Sequence, residues 1–295
     1  MPRFLDPAVL SAISGLELVA KTVVDGFVAG LHRSADFGFS QEFAEYRAYT
    51  PGDDLRHVDW NVYARSERAY LKRYRGETNS LLTLLIDASN SMSYASGAVS
   101  KLDYARYIAA SLAYLAIRTQ RDAAGLVVFD DELRCVVRPS AREGQMHRVL
   151  AGLERAEPRA RTRYEAPLEH VQGFVRRRGI VVMLSDFYAT PERIVRAAEP
   201  LRFRGNEVVL FHILDRAELE PDIGASALLV DLETAERMEV NAEYAARDYR
   251  ERIGAHIEAL GTRARAAGLG YRLLVTDAPL DAALREYLTV RQGRD

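Results

Sequence analysis

Apolar residues change their spacing along this chain, and each change marks a different kind of structure. Val9, Leu10, Ile13, Leu16, Val19, Val23, Phe27 and Leu31 fall mostly three and four residues apart, which lays one apolar stripe along a helix. The spacing predicts a single amphipathic helix over residues 7–31, packed on the rest of the chain. From residue 32 to about 78 no period persists: aromatics and charges mix, and Gly38, Pro51 and Gly52 punctuate the run. That segment is expected to be irregular and to find its order in side-chain pairing.

From Leu81 the chain alternates. LLTLLID, AGLVVFD, GIVVMLSD, EVVLFHIL and GYRLLVTD are short continuous apolar runs, as strands covered on both faces must be. Helical patterns lie between several of them, at Lys101 to Gln120, Arg142 to Arg155, Pro167 to Arg177, and Pro191 to Phe203 with proline in its opening turn. This order predicts an α/β fold built on a doubly wound, mostly parallel sheet. DELRCVVRP reads as an antiparallel edge strand beside AGLVVFD, and SALLVDLETAERMEVN as a hairpin turning at Thr234 to Arg237. A long helix charged on one face is expected from Asn241 to Ala267. The expected organisation is residues 1–78 as an N-terminal helix and attached segment, and 79–295 as the main domain.

Composition narrows the function classes. Lys plus Arg (40) nearly balances Asp plus Glu (42), so no strong field points to nucleic acid or anionic lipid. Cys135 is the one cysteine, which excludes an internal disulfide and a thiolate cluster and fits a reducing compartment. It is expected to be a small buried strand residue. Asp6, Glu17 and Lys21 interrupt the N-terminal apolar stretch, so no signal peptide is expected. No uncharged apolar run reaches membrane-spanning length, and a soluble, cytoplasmic protein is expected.

In an open parallel sheet, ligands gather beyond the carboxyl ends of the strands. The first main-domain strand ends in Asp87-Ala88-Ser89-Asn90-Ser91, which supplies a carboxylate and two hydroxyls in a short loop. Asp186 follows the apolar run IVVML and Ser185, and Thr162 comes from a third loop. Asp87, Ser89, Ser91, Thr162 and Asp186 make an oxygen-only set suited to magnesium, or to manganese or calcium, and unsuited to zinc. With few protein charges, the ion would stay electrophilic and could accept a carboxylate from another molecule. Serine and aspartate also cap helices, so a metal-free structural loop is an alternative, and Thr162 could instead be the N-cap of the following helix. The six histidines are scattered, without metal-ligand spacing.

LLIDASNSM, the Thr162 loop and VVMLSDF resemble the three segments of the metal-ion-dependent adhesion site of von Willebrand factor A domains. Upstream, Glu42-Phe43, Arg47, Tyr49, Pro51-Gly52-Asp53-Asp54, Arg56, Asp59-Trp60 and Arg65 resemble the signature of the bacterial family labelled domain of unknown function fifty-eight. SALLVDLETAERMEV and YRLLVTDAPLDAALREYLTVR resemble that family's C-terminal part. The resemblance implies a von Willebrand factor A-like fold and a non-enzymatic binding module. It also implies a MoxR-type AAA+ ATPase as partner in a chaperone-like pair. Some relatives carry transmembrane helices ahead of this segment.

The signature stretch has its own chemistry. Arg47, Arg56 and Arg65 interleave with Glu42, Asp53, Asp54 and Asp59, and arginine–carboxylate forks can order a segment without regular structure. The segment is either a scaffold or a docking surface anchored by Phe37, Phe39, Tyr49 and Trp60. An enzyme is the alternative to the binding module. A strand-end carboxylate could serve a magnesium-dependent phosphohydrolase, yet there is no Gly-rich Lys-Ser/Thr phosphate loop, and Ser89 stands where a second carboxylate acid/base would be needed.

Overall fold

The computed structural model describes residues 5–31, 43–48, 62–63, 70–74, 80–159, 161–175, 178–221, 226–230 and 237–292. The chain divides into two compact units, Met1–Gly26 with Asn79–Asp295, and Phe27–Thr78.

The N-terminal stripe does not form one helix. A short turn of helix, α1 (Pro7–Leu10), is capped by the Asp6 carboxylate, and α2 (Leu16–Leu31) starts afresh. Gly15 separates them at φ +94°, a left-handed conformation that glycine adopts at little cost. Because Ile13 and Leu16 continue the apolar pattern across the break, spacing alone could not show it. Val19, Val23 and Val24 of α2 are buried.

Within the second unit, β1 (Phe43–Ala48) pairs antiparallel with β2 (Tyr70–Tyr74). This corrects the expectation of a segment without regular structure. FAEYRA and YLKRY mix charges with aromatics and have no clean apolar alternation, so the backbone ladder supplies order that the pattern conceals. Phe37, Phe39, Glu42, Tyr49, Pro51 to Asp54, Arg56, Asp59, Trp60 and Arg65 lie outside the described residues.

The main sheet holds β3 (Leu81–Asp87), β4 (Ala123–Phe129), β5 (Leu133–Ser140), β6 (Ile180–Ser185), β7 (Glu207–Leu214) and β10 (Gly270–Val275), in the order β10-β7-β6-β3-β4-β5. All neighbours run parallel except β5, which pairs antiparallel with β4. Strands β4 and β6 are buried along their whole length, as their unbroken apolar runs require. Strand β5 alternates between partly buried and exposed residues, the pattern of an edge. Cys135 therefore sits on β5 partly buried, not fully enclosed as expected. Gly125 on β4 allows the edge strand to come close, since a Cβ there would lie 2.6 Å from the Val137 carbonyl oxygen.

Helices α3 (Lys101–Tyr114, carried on by a π-turn through Thr119), α4 (Gln145–Glu154) and α9 (Asp281–Gln292) belong to one layer. Helices α5 (Glu165–Phe174), α6 (Pro191–Phe203) and α8 (Ala242–Ala266) form the other, over a core that includes Leu85, Val127, Met183, Leu210, Leu168, Ile194 and Leu260. Each buried aliphatic side chain of this kind contributes about 1.5–3 kcal/mol. The one-turn helix α7 (Arg216–Leu219) follows β7, and the expected hairpin is present as β8 (Ser226–Val230) against β9 (Arg237–Asn241). Residues 231–236 of its turn are outside the described set. Among the described residues no helix is long and apolar enough to cross a membrane.

Candidate functional site

Strands β3 and β6 are neighbours and run parallel, so their carboxyl ends meet at one rim of the sheet. Asp87 closes β3, Asp186 follows β6, and both are buried at 0% and 1% exposure. Between β3 and α3, Ser89 and Ser91 open a 3₁₀ turn, Asn90–Ser93. Ser89 occupies the N-cap position of that turn, but its side chain caps nothing. Instead the Ser89 and Ser91 hydroxyl oxygens lie 3.0 Å apart, both buried.

Asp87 is the centre of a hydrogen-bond cluster. Its carboxylate accepts from the Ser89 N–H at 2.9 Å, the Ser185 hydroxyl at 2.6 Å, and the Thr162 hydroxyl at 2.9 Å and 3.1 Å. Ser185 spends its one proton on Asp87, so the Tyr164 hydroxyl, 2.8 Å away, donates to Ser185. Thr162 reaches the cluster because the Arg159 N–H donates to the Ala88 carbonyl at 2.8 Å, pinning its loop against the β3 end. The N-cap of α5 is Tyr164, so Thr162 is turned to Asp87 and does not cap the helix.

Asp186 takes a partner that spacing does not announce. Lys101, the first residue of α3, is fully buried and donates to Asp186 Oδ2 at 2.8 Å and to Glu218 at 2.6 Å. The Tyr188 ring lies under its ammonium, 4.8 Å from Nζ to the centroid. A cation at a helix N-terminus meets the unfavourable end of the helix dipole, and the two carboxylates offset that. Burial disfavours the charged lysine, yet Asp186 and Glu218 outweigh it and hold the ammonium's pKa above its ordinary value. The other oxygen of Asp186, Oδ1, is buried and has no hydrogen-bond partner among the described residues. Burial, and then the neighbouring Asp186 charge, push the Asp87 carboxyl up to about 7, against the hydrogen bonds from Ser185, Ser89 and Thr162.

The structure thus joins Asp87 to Thr162 and Ser89 to Ser91, and brings Asp186 close enough to Asp87 to act on its charge. Lys101 and Ser185 belong to the site and carry no motif of their own. A lysine opening a helix was the available hint for the first, and a small hydroxyl residue just before a strand-end aspartate for the second.

Beside this rim the histidines are less scattered than their numbering suggests. His212 on β7 and His256 on α8 meet edge-to-face with centroids 5.8 Å apart. His212 shares a 2.7 Å hydrogen bond with the Tyr271 hydroxyl. Burial, then His256, lower its pKa to about 3, so the ring is neutral. His57, which its closeness to Asp59 in the sequence sets apart from the other histidines, lies outside the described residues. No cluster of three or more His, Cys, Asp or Glu side chains able to hold a metal occurs among the described residues, so any ion at the rim depends on hydroxyl oxygens.

The donor chemistry fits a hard divalent cation: buried hydroxyls, two carboxylates and one carboxylate oxygen without a donor. Three carboxyl groups, Asp87, Asp186 and Glu218, thus gather around the one ammonium of Lys101, and burying carboxylate charge without a matching cation is unfavourable.

An uncharacterized protein of Mycobacterium tuberculosis is 28% identical over 294 residues, covering 97% of this chain and 91% of that protein. An uncharacterized protein of Mycobacterium bovis matches to the same extent. Among solved structures, an aerotolerance-related membrane protein from Bacteroides fragilis aligns with a TM-score of 0.50 at 15% identity, over 72% of this chain and 99% of that one. The VWA domain of SpRpn10 aligns at 0.40 and 12% identity, over 71% and 95%. At 15% identity the likeness to the Bacteroides fragilis protein is one of fold alone, an α/β sheet flanked by helices. The family described as Protein of unknown function DUF58 matches residues 45–262, most of the chain, and this protein belongs to it.

Proposed function

We propose that the rim formed by Asp87, Ser89, Ser91, Thr162 and Asp186 binds a divalent cation and through it holds an acidic side chain of a partner protein. The observation that carries the reading is Asp186 Oδ1, a buried carboxylate oxygen with no donor. Leaving such a group unsatisfied costs about 1–3 kcal/mol or more for a charged group, and a cation offsets that cost. Ser89 and Ser91 would supply neutral oxygens, Asp87 and Asp186 the charge, and Thr162 a hydroxyl now spent on Asp87. When bound, the ion supplies a Lewis-acidic position for a carboxylate. Hydroxyl-rich donor sets suit magnesium, which keeps several waters, better than they suit zinc.

The protein acts in this reading as a binding module and not as an enzyme. Family resemblance extends the proposal to a MoxR-type AAA+ ATPase, or its client, as the acidic partner in a chaperone-like assembly in the cytoplasm.

Isothermal titration of magnesium into the wild-type chain and into Asp87→Ala and Ser89→Ala/Ser91→Ala tests the site. Binding to the wild type and its loss in both variants is expected; equal heats from all three would remove the site. Magnesium-dependent hydrolysis of a generic phosphate ester, abolished by Asp87→Asn, would replace the binding module with a hydrolase.

A further inference from the structure

The edge strand β5 and helix α4 enclose a groove of about 770 Å³ that the cation site does not use. Cys135 and Val137 of the strand and Ala151 and Gly152 of the helix lie along it. The small helical residues are what let α4 sit directly on the sheet: a Cβ on Gly152 would come within 2.7 Å of Leu126 Cδ2 and 3.3 Å of the Cys135 sulfur.

The groove's charge is one-sided. Arg138, Arg148 and Arg155 line it, all three are exposed, and none is paired with a carboxylate among the described residues. The other arginines there are engaged: Arg134 by Asp130, Asp131 and Glu132, and Arg159 by Glu157 at 2.6 Å. Positions 148 and 155 are two helical turns apart, so they project along the same side of α4. On the opposite wall, β5 is the last strand of the sheet among the described residues, so about half of its backbone N–H and C=O groups have no ladder partner among them.

We propose that this groove binds an acidic segment of a partner protein in extended conformation, added to β5 as a further strand. The free strand edge supplies the main-chain hydrogen bonds that such addition uses. Three unpaired guanidiniums favour carboxylate side chains, which they engage in two-pronged fashion. A second copy of this chain is the poorer occupant, because edge-to-edge pairing of two β5 strands would bring the unpaired Arg138 of each copy to one shared edge without supplying it a carboxylate. The Glu157–Arg159 end of the groove leads to the loop whose Arg159 N–H is bonded to Ala88. The docked segment would therefore run toward the Asp87 loop, yet its binding does not depend on a cation.

Fluorescence anisotropy on the full chain in chelator tests this with a labelled peptide of alternating Glu and Val, about eight residues long. The comparison probes are the Lys–Val counterpart and the Glu–Val peptide with alternate backbone nitrogens methylated. The Glu–Val peptide is expected to bind, and to bind at least about tenfold more weakly to the exposed-site variant Arg138→Gln/Arg148→Gln/Arg155→Gln. Both comparison peptides should fail. Absence of Glu–Val binding, equal binding by the triple variant with its circular dichroism unchanged, or undiminished binding of the methylated peptide would each overturn the proposal. Tighter binding of a single-stranded oligonucleotide of equal charge would assign the groove to polyanions and likewise overturn it.

Discussion

Replacing Lys101 by methionine removes a charge while keeping a side chain of similar length and an apolar stem. Lys101 is fully buried and its ammonium is 2.8 Å from Asp186 and 2.6 Å from Glu218, so the variant leaves two carboxylates without their shared cation. Removing one partner from a buried ion pair costs about 3–5 kcal/mol. Glu218 limits the damage: burial already raises its carboxyl pKa despite the lysine, so it can take up a proton. The lower end, about 3 kcal/mol, is therefore expected, which for a domain of this size lowers Tm by on the order of 10 °C. Affinity for magnesium should move the other way, because the repelling ammonium beside Asp186 is gone. At an effective dielectric of about 20–40 and a separation of roughly 6 Å, one unit charge acts on a divalent ion with roughly 3–6 kcal/mol before screening by solvent, so a gain of at least about tenfold in affinity is expected. Scanning calorimetry in chelator, followed by magnesium titration of both proteins, reads the two effects separately. An unchanged Tm would show that the pair does not hold the rim together, and weaker magnesium binding would show that Lys101 assists the ion and does not compete with it.

Ser185→Ala removes the 2.6 Å donor to Asp87 and the acceptor of Tyr164; a loss of about 1–3 kcal/mol is expected in urea unfolding, and an undiminished midpoint would mean the cluster rearranges freely. His212 titrates near 3 in the folded protein against about 6.5 unfolded. Its contribution is thus complete above pH 6.5 and drains away as pH falls toward 3, because only the unfolded chain takes the proton. His212→Gln should flatten the decline in stability between pH 6.5 and 5 relative to wild type, and parallel profiles would contradict the burial argument.

The sheet was legible because its strands are covered on both faces, which leaves a run such as IVVMLS no room for a polar residue until the rim. Asp87 and Asp186 stood out for that reason: they end such runs. The edge strand was equally readable from the alternation in LRCVVRPS. Elsewhere the physical signal was absent from the local sequence. Lys101 looks like any solvated lysine in KLDYARY, and its burial is decided by Asp186 and Glu218, which lie 85 and 117 residues away. Strands β1 and β2 carry no periodic apolar face. The break between α1 and α2 depends on one glycine dihedral, and an apolar stripe passes through it unaltered.

Phe187 stands next to Asp186 at φ +49°, a conformation that costs a non-glycine residue roughly 1–2 kcal/mol. Its fully buried ring, stacked on Tyr164 with centroids 5.9 Å apart and edge-on to His212, holds it there. The aim of the Asp186 carboxylate is therefore set from the hydrophobic interior. Substitutions that loosen those aromatics would swing the carboxylate aside with every proposed ligand residue still encoded. A screen for variants defective in ion capture should accordingly return interior aromatic positions as well as the polar rim.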